Sequence, residues 1–318
     1  MSIIIVNWNV WDDLRECLES IFVSSFPEEM EVIVVDNASS DCSVANVQSQ
    51  FPNVRIIANS TNAGFPKANN QALAVARGEF VLFLNPDTVI APGTLSGCVS
   101  ALRSQADIGL LGCKIKYPDG SIQYEGARNF PSLRTIFWEV FYLHMLFPKS
   151  PLFGEKLMGN WNHEGSRDVP CLLGAFMMGR RSLLVEMGGM DESVFMFLED
   201  VDLCFRTVKN GWRVHYLADY QIIHKSMQSQ KKKKRPMTYE NATARYEFFR
   251  KHRGPAAALA CRLLLFLKGA ARFLISLFLF PVSLPFPRLQ ARLRNAHKPM
   301  VQLDLLKWAF TYRAAADE

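Results

Sequence analysis

Short uninterrupted apolar runs alternate, through the first half of the chain, with longer stretches whose apolar residues fall three and four apart. Ser2–Val6, Glu31–Val35 and Val54–Ala58 are rich in β-branched residues, and Glu79–Leu84 carries Phe80-Val81-Leu82-Phe83-Leu84 without a charge between Gly78 and Pro86. Runs of this length and composition predict buried strands. Between them, Leu14, Leu18, Ile21 and Phe22 share one helical face, with Asp12 or Asp13 available as a cap. A second helix is expected from Pro66 to Arg77, with proline in its first turn and Gly78 at its end. Pro92–Ser104 reads as a helix, and Ile108–Tyr117 as a strand closed by Pro118-Asp119-Gly120. Strands separated by helices predict βαβ units and a parallel sheet. Farther on, Ser182–Met187 is a short helix, and a longer one begins near Glu199 and stops at Asn210-Gly211. Arg213–Leu217 and Gln221–Ile223 are two short strands.

The polar residues after each strand change the picture. Asn7-Trp8-Asn9, Asp36 to Asp41, Asn59 to Gly64, and Asn85-Pro86-Asp87 close four successive strands. Any one of these clusters is explained as a turn. Four at the same end of one sheet line the crevice where open α/β sheets bind ligands. A carboxylate at the end of the central strand can hold a divalent cation, and the cation a diphosphate. Phe195–Arg206 then brings Glu199, Asp200 and Asp202 to a helix start. The helix dipole rewards acids there by about 0.3–1 kcal/mol each. It does not explain the apolar run Val194–Leu198 before them, which sets the carboxylates at a buried edge where one can act as general base. His224 ends a strand beside these acids and is either an ordinary half-buried histidine or a metal ligand through a neutral ring nitrogen. Gly174, inside the apolar run Cys171–Gly179, marks a close approach of ligand or backbone.

Composition adds limits. The 318 residues include 49% hydrophobic and 21% charged residues, which is ordinary for a globular protein. The net charge is +6, with a slight acidic excess in the first hundred residues and a basic excess after Arg206. That asymmetry suits a surface facing anionic lipid or phosphate. The seven cysteines lack metal or redox spacing and read as reduced core thiols, Cys98, Cys171 and Cys261 among them. Asn7 and Asn9 interrupt the first apolar run too soon for a secretory signal, and no stretch of eighteen apolar residues lacks a charge. Residues 128–168 are irregular and aromatic-rich, a candidate substrate-specific insert. Lys231–Lys234 and Arg235 read as a solvated loop, or one that closes over a diphosphate or touches anionic headgroups. In residues 256–284, Arg262, Lys268, Arg272 and Ser276 occupy roughly a third of a helix circumference and the rest is apolar. This pattern predicts a helix lying in a membrane interface with its basic groups toward lipid phosphates, ended by Pro281, Pro285 and Pro287; packing on protein is the alternative. Leu303–Tyr312 reads as a last short helix.

With these clusters identified, the sequence resembles family-2 glycosyltransferases of the GT-A fold, most closely the bacterial rhamnosyltransferase-like members. The matching segments are SIIIVNWN, VIVVDNASSD, NAGFPKANNQA, FVLFLNPD, LLGAFMMGRR, FMFLEDVDLCFR and IIHKS, in family order over residues 2–250. The resemblance implies an α/β, Rossmann-like mixed sheet over residues 1–250, and the helical pattern beyond it is read as a C-terminal membrane-associating extension over 251–318. The resemblance also implies that Asn7, Asn9, Asp36 and Asn37 line the base and ribose of a nucleotide, and that Asn62, Gly64 and Asn69 support the donor side. Asn85 and Asp87 stand at the family's acidic metal motif, Asp200 of the Glu199-Asp200 pair is the implied catalytic base, His224 completes the metal and diphosphate site, and Gly174 borders donor sugar and acceptor. One departure stands out: Asn85-Pro86-Asp87 offers a single carboxylate, a weaker site for Mg²⁺ or Mn²⁺. The absence of a Gln-x-x-Arg-Trp segment argues for one addition per encounter.

The implied partners are a nucleotide-diphosphate sugar, a lipid-linked glycan acceptor and a membrane surface, with the enzyme cytoplasmic and peripheral on the inner face of the cell membrane. Rhamnose from dTDP-rhamnose is the expected donor; UDP-galactofuranose, GDP-mannose or UDP-GlcNAc would use the same chemistry, and a scaffold of the same fold would use none. No Gly-x-Gly-x-x-Gly follows the first strand, which excludes a dinucleotide oxidoreductase, and acidic clusters in the pocket argue against nucleic acid.

Overall fold

A computed structural model describes residues 1–24, 26–226, 238–283 and 299–312, with side chains for all of these except 275–283 and 299–301. The chain divides into two compact units. Unit 1 is Met1–Phe130 with Trp161–Lys233; unit 2 is Pro131–Asn160 with Lys234–Glu318.

Unit 1 is built on nine strands: β1 (Ser2–Asn7), β2 (Glu31–Asp36), β3 (Arg55–Ala58), β4 (Phe80–Leu84), β5 (Thr88–Ile90), β6 (Ile108–Lys116), β8 (Arg167–Asp168), β10 (Phe176–Arg180) and β11 (Arg213–His224). Their order is β3-β2-β1-β4-β10-β6-β11-β5, with β8 on β11. A separate two-stranded ribbon joins β7 (Ala127–Arg128) to β9 (Cys171–Leu172). The helices are α1 (Trp11–Val23), α2 (Ser43–Gln50), α3 (Phe65–Leu73), α4 (Thr94–Ser104), α7 (Arg181–Glu186) and α8 (Glu199–Lys209). Strands β1, β2, β3 and β4 are parallel neighbours, as the alternating pattern predicts. The sheet is nevertheless mixed: β10 lies antiparallel between β4 and β6, and β5 is antiparallel to β11. The core follows the apolar runs. Ile3, Ile5, Leu14, Leu18, Val34, Phe80, Leu82, Leu84 and Phe176 are all buried in one cluster.

Several local expectations shift. Neither Asp12 nor Asp13 caps α1; both lie inside its first turn, and Asp41 Oδ2 takes the Trp11 N–H instead. Helix α3 stops at Leu73, four residues before Arg77. The two strands expected at Arg213–Leu217 and Gln221–Ile223 are one strand with a register shift between Leu217 and Gln221, and His224 is its last residue. All seven thiols are free, with Cys42 alone exposed.

Unit 2 is helical: α5 (Leu133–Val140), α6 (Leu143–Leu146), α9 (Thr238–Arg253), α10 (Pro255–Ser283) and α11 (Pro299–Thr311). Part of the aromatic-rich stretch 128–168 thus belongs here. Helix α10 continues through Pro281 to Ser283; Pro285 and Pro287, the basic run Lys231–Arg235, and Arg288, Arg292 and Arg294 lie outside the described residues. Among those residues no helix is long and apolar enough to cross a membrane. The basic residues of α10 do not point outward as its pattern predicts. Arg262 Nε donates to Ala309 O at 2.6 Å, Lys268 Nζ meets Glu139 Oε2 at 2.5 Å, and Arg272 Nη2 reaches Glu139 O at 3.3 Å. A buried carboxylate provides the reason. Glu139, 4% exposed, also takes Lys156 Nζ at 2.7 Å and Arg245 Nη1 at 2.9 Å. Burial would raise its pKa, but Arg245, Lys156 and Lys268 outweigh burial and hold it well below the usual carboxylate range. Lys268, desolvated among other cations, is pulled down to about 7 even beside Glu139.

Breaking a buried ion cluster by removing one partner leaves uncompensated charge. Glu139→Gln is therefore expected to destabilise the protein by about 3 kcal/mol in chemical denaturation followed by far-UV circular dichroism. A loss under about 1 kcal/mol would mean that the cluster does not hold unit 2 together.

Candidate active site

The register of the parallel strands brings the polar strand ends of unit 1 together. Asn7 pairs with Asp36 across β1 and β2, and Asp36 with Ala58 across β2 and β3. Asn7 is fully buried, and its Nδ2 donates to Asp36 Oδ1 at 2.8 Å and Ser39 Oγ at 3.2 Å. The second Asp36 oxygen takes the Ser39 N–H at 2.9 Å. Asn9, in the left-handed region with φ 57, accepts the Ser40 N–H at 2.7 Å through Oδ1. Asn37 Nδ2 donates to Gly64 O at 3.0 Å, and Asn62 Oδ1 accepts the Gly64 N–H at 3.0 Å. These side chains fold the loops that form the crevice wall. Asn69 is 1% exposed and gives its amide to Phe65 O at 2.9 Å, so it braces α3 from within. Gly64 must be glycine: its φ is +87, and a Cβ there would stand 2.8 Å from Phe195 O. That contact joins the donor-side loop to the segment leading into α8.

The central strand end carries the second group. Pairing of β5 with β11 sets His224 opposite Thr88, so the imidazole reaches back over Asp87 and Asn85. His224 Nε2 lies 3.3 Å from Asp87 Oδ1 and 3.4 Å from Asn85 Nδ2. Its Nδ1 faces Gln123 Oε1 at 2.9 Å. A carbonyl oxygen only accepts, so Nδ1 donates to Gln123 and Nε2 is the nitrogen that faces Asp87 and Asn85. One carboxylate oxygen and one imidazole nitrogen, both on buried residues, are a donor pair that a single Mg²⁺ or Mn²⁺ can share. Among the described residues no group of three or more His, Cys, Asp or Glu could hold a metal. Asp87 and His224 offer two ligands, so an ion held there would need its other ligands from elsewhere.

The acidic pair forms the third group. Phe197 and Leu198 take positive φ, 76 and 58, just before α8. Such strain costs roughly 1–3 kcal/mol per residue and collects at functional sites. Asp200 Oδ2 accepts Arg128 Nη2 at 2.7 Å and the Gly174 N–H at 3.0 Å, and Oδ1 accepts the Val201 N–H at 2.7 Å. Gly174 lies between β9 and β10, and a Cβ there would meet Asp200 Cβ at 3.3 Å. The next residue, Ala175, accepts the Asn85 N–H at 3.0 Å, so a two-residue turn links the acidic pair to the central strand end. Glu199 differs from its neighbour: it is 8% exposed, and its Oε2 is buried without a hydrogen-bond partner. Burial first, and the Asp200 charge second, push its carboxyl up to about 8. Asp202 plays a structural part, pairing with Arg206 Nε at 2.6 Å while Arg206 holds Met187 O and Gly189 O.

Two site residues escaped the sequence reading. Gln123 and Arg128 sit five positions apart in the irregular stretch after β6, and they fix His224 and Asp200 respectively. No periodicity marks either one; Arg128 is positioned by the two-residue ribbon β7–β9.

The sequence model described as Glycosyl transferase family 2 matches residues 2–188. The N-acetylglucosaminyl-diphospho-decaprenol L-rhamnosyltransferase of Mycobacterium tuberculosis is 30% identical over 236 residues, 70% of this chain and 75% of that protein. Rhamnosyltransferase WbbL of Escherichia coli K12 is 27% identical over 232 residues, 70% of this chain and 82% of that protein. Among solved structures, mannosyltransferase PcManGT from Pyrobaculum calidifontis, in complex with GDP-Man and Mn²⁺, superposes with a TM-score of 0.58 at 19% identity, covering 97% of this chain and 85% of that one. At that identity the likeness speaks for the fold. The chain belongs to glycosyl transferase family 2, is similar to its rhamnosyltransferases, and is a glycosyltransferase.

Proposed function

We propose that this enzyme moves one rhamnose from dTDP-rhamnose to a hydroxyl of a lipid-linked glycan, with inversion, in the assembly of a surface polysaccharide. The carrying observation is the linked arrangement of Asp87, His224 and Asp200 around the Gly174–Ala175 turn, in a chain 30% identical to a rhamnosyltransferase named for a diphospho-decaprenol acceptor. We assign residues 1–250 to catalysis and 251–318 to association with the membrane, the protein being peripheral on the cytoplasmic face. Asn7, Asn9, Asp36 and Asn37 form the nucleotide wall, and Asn62, Gly64 and Asn69 the donor-side loop and the helix behind it.

Asp87 and His224 would hold Mg²⁺ or Mn²⁺, and the ion would supply positive charge for the leaving diphosphate. Asn85 steadies the His224 ring on the same side. Asp200 is the base. Each carboxylate oxygen has about two lone-pair sites. Both on Oδ2 are taken by Arg128 and Gly174, whereas Oδ1 spends one on Val201 and keeps one for an incoming hydroxyl proton. Arg128 and two backbone N–H groups fix the orientation of this carboxylate. The acceptor oxygen attacks the anomeric carbon from the face opposite the diphosphate, and the carbon–oxygen bond to the diphosphate breaks. Gly174 leaves room beside the base for that acceptor. Glu199, neutral to about pH 8, adds no second negative charge next to Asp200.

A screen of dTDP-rhamnose, UDP-galactofuranose, GDP-mannose and UDP-GlcNAc, each with and without Mn²⁺ or Mg²⁺, tests the assignment. Turnover of dTDP-rhamnose that depends on the ion is expected; turnover of another donor replaces the sugar, and turnover of none removes the enzyme reading. Asp200→Asn should lower kcat about 10³-fold and leave donor affinity within about twofold by calorimetry. A large loss of donor affinity would count against its role as base. For Glu199, the unfolded chain releases its proton near the usual 4.5 while the folded protein keeps it to about 8. Stability is therefore full below pH 4.5, declines as pH rises to 8, and is level above. Glu199→Gln should flatten that slope and gain up to about 4 kcal/mol at pH 8. Parallel stability curves for wild type and variant would show that the carboxyl is not held neutral.

A further inference from the structure

The charges of unit 2 are sorted by depth. Among its described residues, the charged side chains that are exposed are all basic: Arg134, Lys149, Lys251, Arg253 and Lys307. The acids Glu139, Glu155, Glu240, Glu247 and Asp304 are buried or half-buried. The same residues total eleven Lys and Arg against five Asp and Glu, a net +6. Helix α10 adds an apolar stripe to this cationic exterior. Leu259, Leu263, Leu267 and Leu274 are 67, 57, 44 and 51% exposed. At 100° per residue they fall within an arc of about 80° and extend about 22 Å along the axis. Lys268 and Arg272 lie on the far side of the helix, turned onto Glu139.

We infer, resting on the membrane association proposed above, that α10 docks on the surface of an anionic bilayer through this leucine stripe, while its own basic residues stay inside. Lipid phosphates are met instead by exposed cations elsewhere in unit 2, such as Lys149 and Lys307. Charge complementarity selects the occupant. Exposed charges that are all positive among the described residues of unit 2, together with a stripe of exposed leucines, supply attraction to anionic headgroups and insertion among acyl chains. They lack the directional polar groups that specify a protein partner. A second copy would bring two such units, each with a net +6 on its described residues, face to face, and like charges oppose that contact. The Glu139 cluster makes the leucine face possible: by internalising Lys268 and Arg272 it lets the helix lie down on leucine alone.

Flotation of the full-length protein with vesicles of phosphatidylcholine, with or without phosphatidylglycerol, is the test. Wild type is expected to float with the mixed vesicles. Leu263→Ser combined with Leu267→Ser should lower its partition coefficient about 100-fold, and the pair Leu259→Gln and Leu274→Gln should act in the same direction. Lys149→Gln with Lys307→Gln should lower it about 10-fold on mixed vesicles and leave neutral vesicles unaffected. All of these side chains are exposed, so unchanged melting curves accompany the expected losses. A wild type that floats with neither vesicle refutes membrane association itself. A wild type that floats while both leucine variants float equally well refutes the docking face and leaves membrane association standing. Equal binding to neutral and mixed vesicles refutes the anionic partner. Gel filtration showing a dimeric wild type and monomeric leucine variants gives the stripe to a second copy and overturns the inference.

Discussion

Two backbone groups on adjacent residues, the Gly174 N–H and the Ala175 carbonyl, tie the crevice together. Strand β10 runs antiparallel to β4 with Phe176 opposite Leu84, and the ladder continues one step to the bond from Asn85 N–H to Ala175 O. The neighbouring N–H, from Gly174, points at Asp200. Because the two groups belong to adjacent residues, the end of the central strand and the start of α8 are held at a spacing set by covalent geometry. The same turn demands glycine for space, since a side chain would press on Asp200. An antiparallel strand inserted in a parallel sheet is what allows this: β10 starts at the crevice end of β4, so the residues just before it lie there, whereas a parallel strand would start at the far end.

Around that turn, environment separates two adjacent carboxyls. Asp200 has donors on both oxygens, including a guanidinium, and Glu199 has a buried oxygen with none. Adjacent like charges in a desolvated place cannot both ionise cheaply, so the proton settles on the one without donors. The strained backbone at Phe197 and Leu198 is the local cost of setting these side chains where they are.

Much of this was legible in the sequence. The β-branched and aromatic runs of β1, β2 and β4 are buried on both faces, and such strands read as continuous apolar segments. Their polar ends gave Asn7, Asp36, Asn85 and Asp87, because strand ends are fixed as soon as the strands are. Gln123 and Arg128 were not legible, since they act through a turn and a two-residue ribbon whose position depends on contacts distant in sequence. The antiparallel direction of β10 was missed for a related reason: a run such as Phe176–Arg180 carries no mark of direction. The α10 charges were misread because helical periodicity reports which residues share a face, not which face is covered. Glu139, more than a hundred positions away, decides that.

That separation has a consequence for synthesis. Glu139 precedes Arg245 by 106 residues and Lys268 by 129. At ribosomal rates of roughly 5–20 residues per second, the acid waits on the order of 6–26 s for the last of these cations. Through that interval the nascent segment 131–160 has neither α9 nor α10 to cover it, and its Phe137, Phe141 and Phe147, exposed even in the finished fold, stand among still more uncovered apolar surface. The helical unit therefore closes only after Lys268 has been made, and the segment that opens it is the natural point at which a chaperone would engage the growing chain.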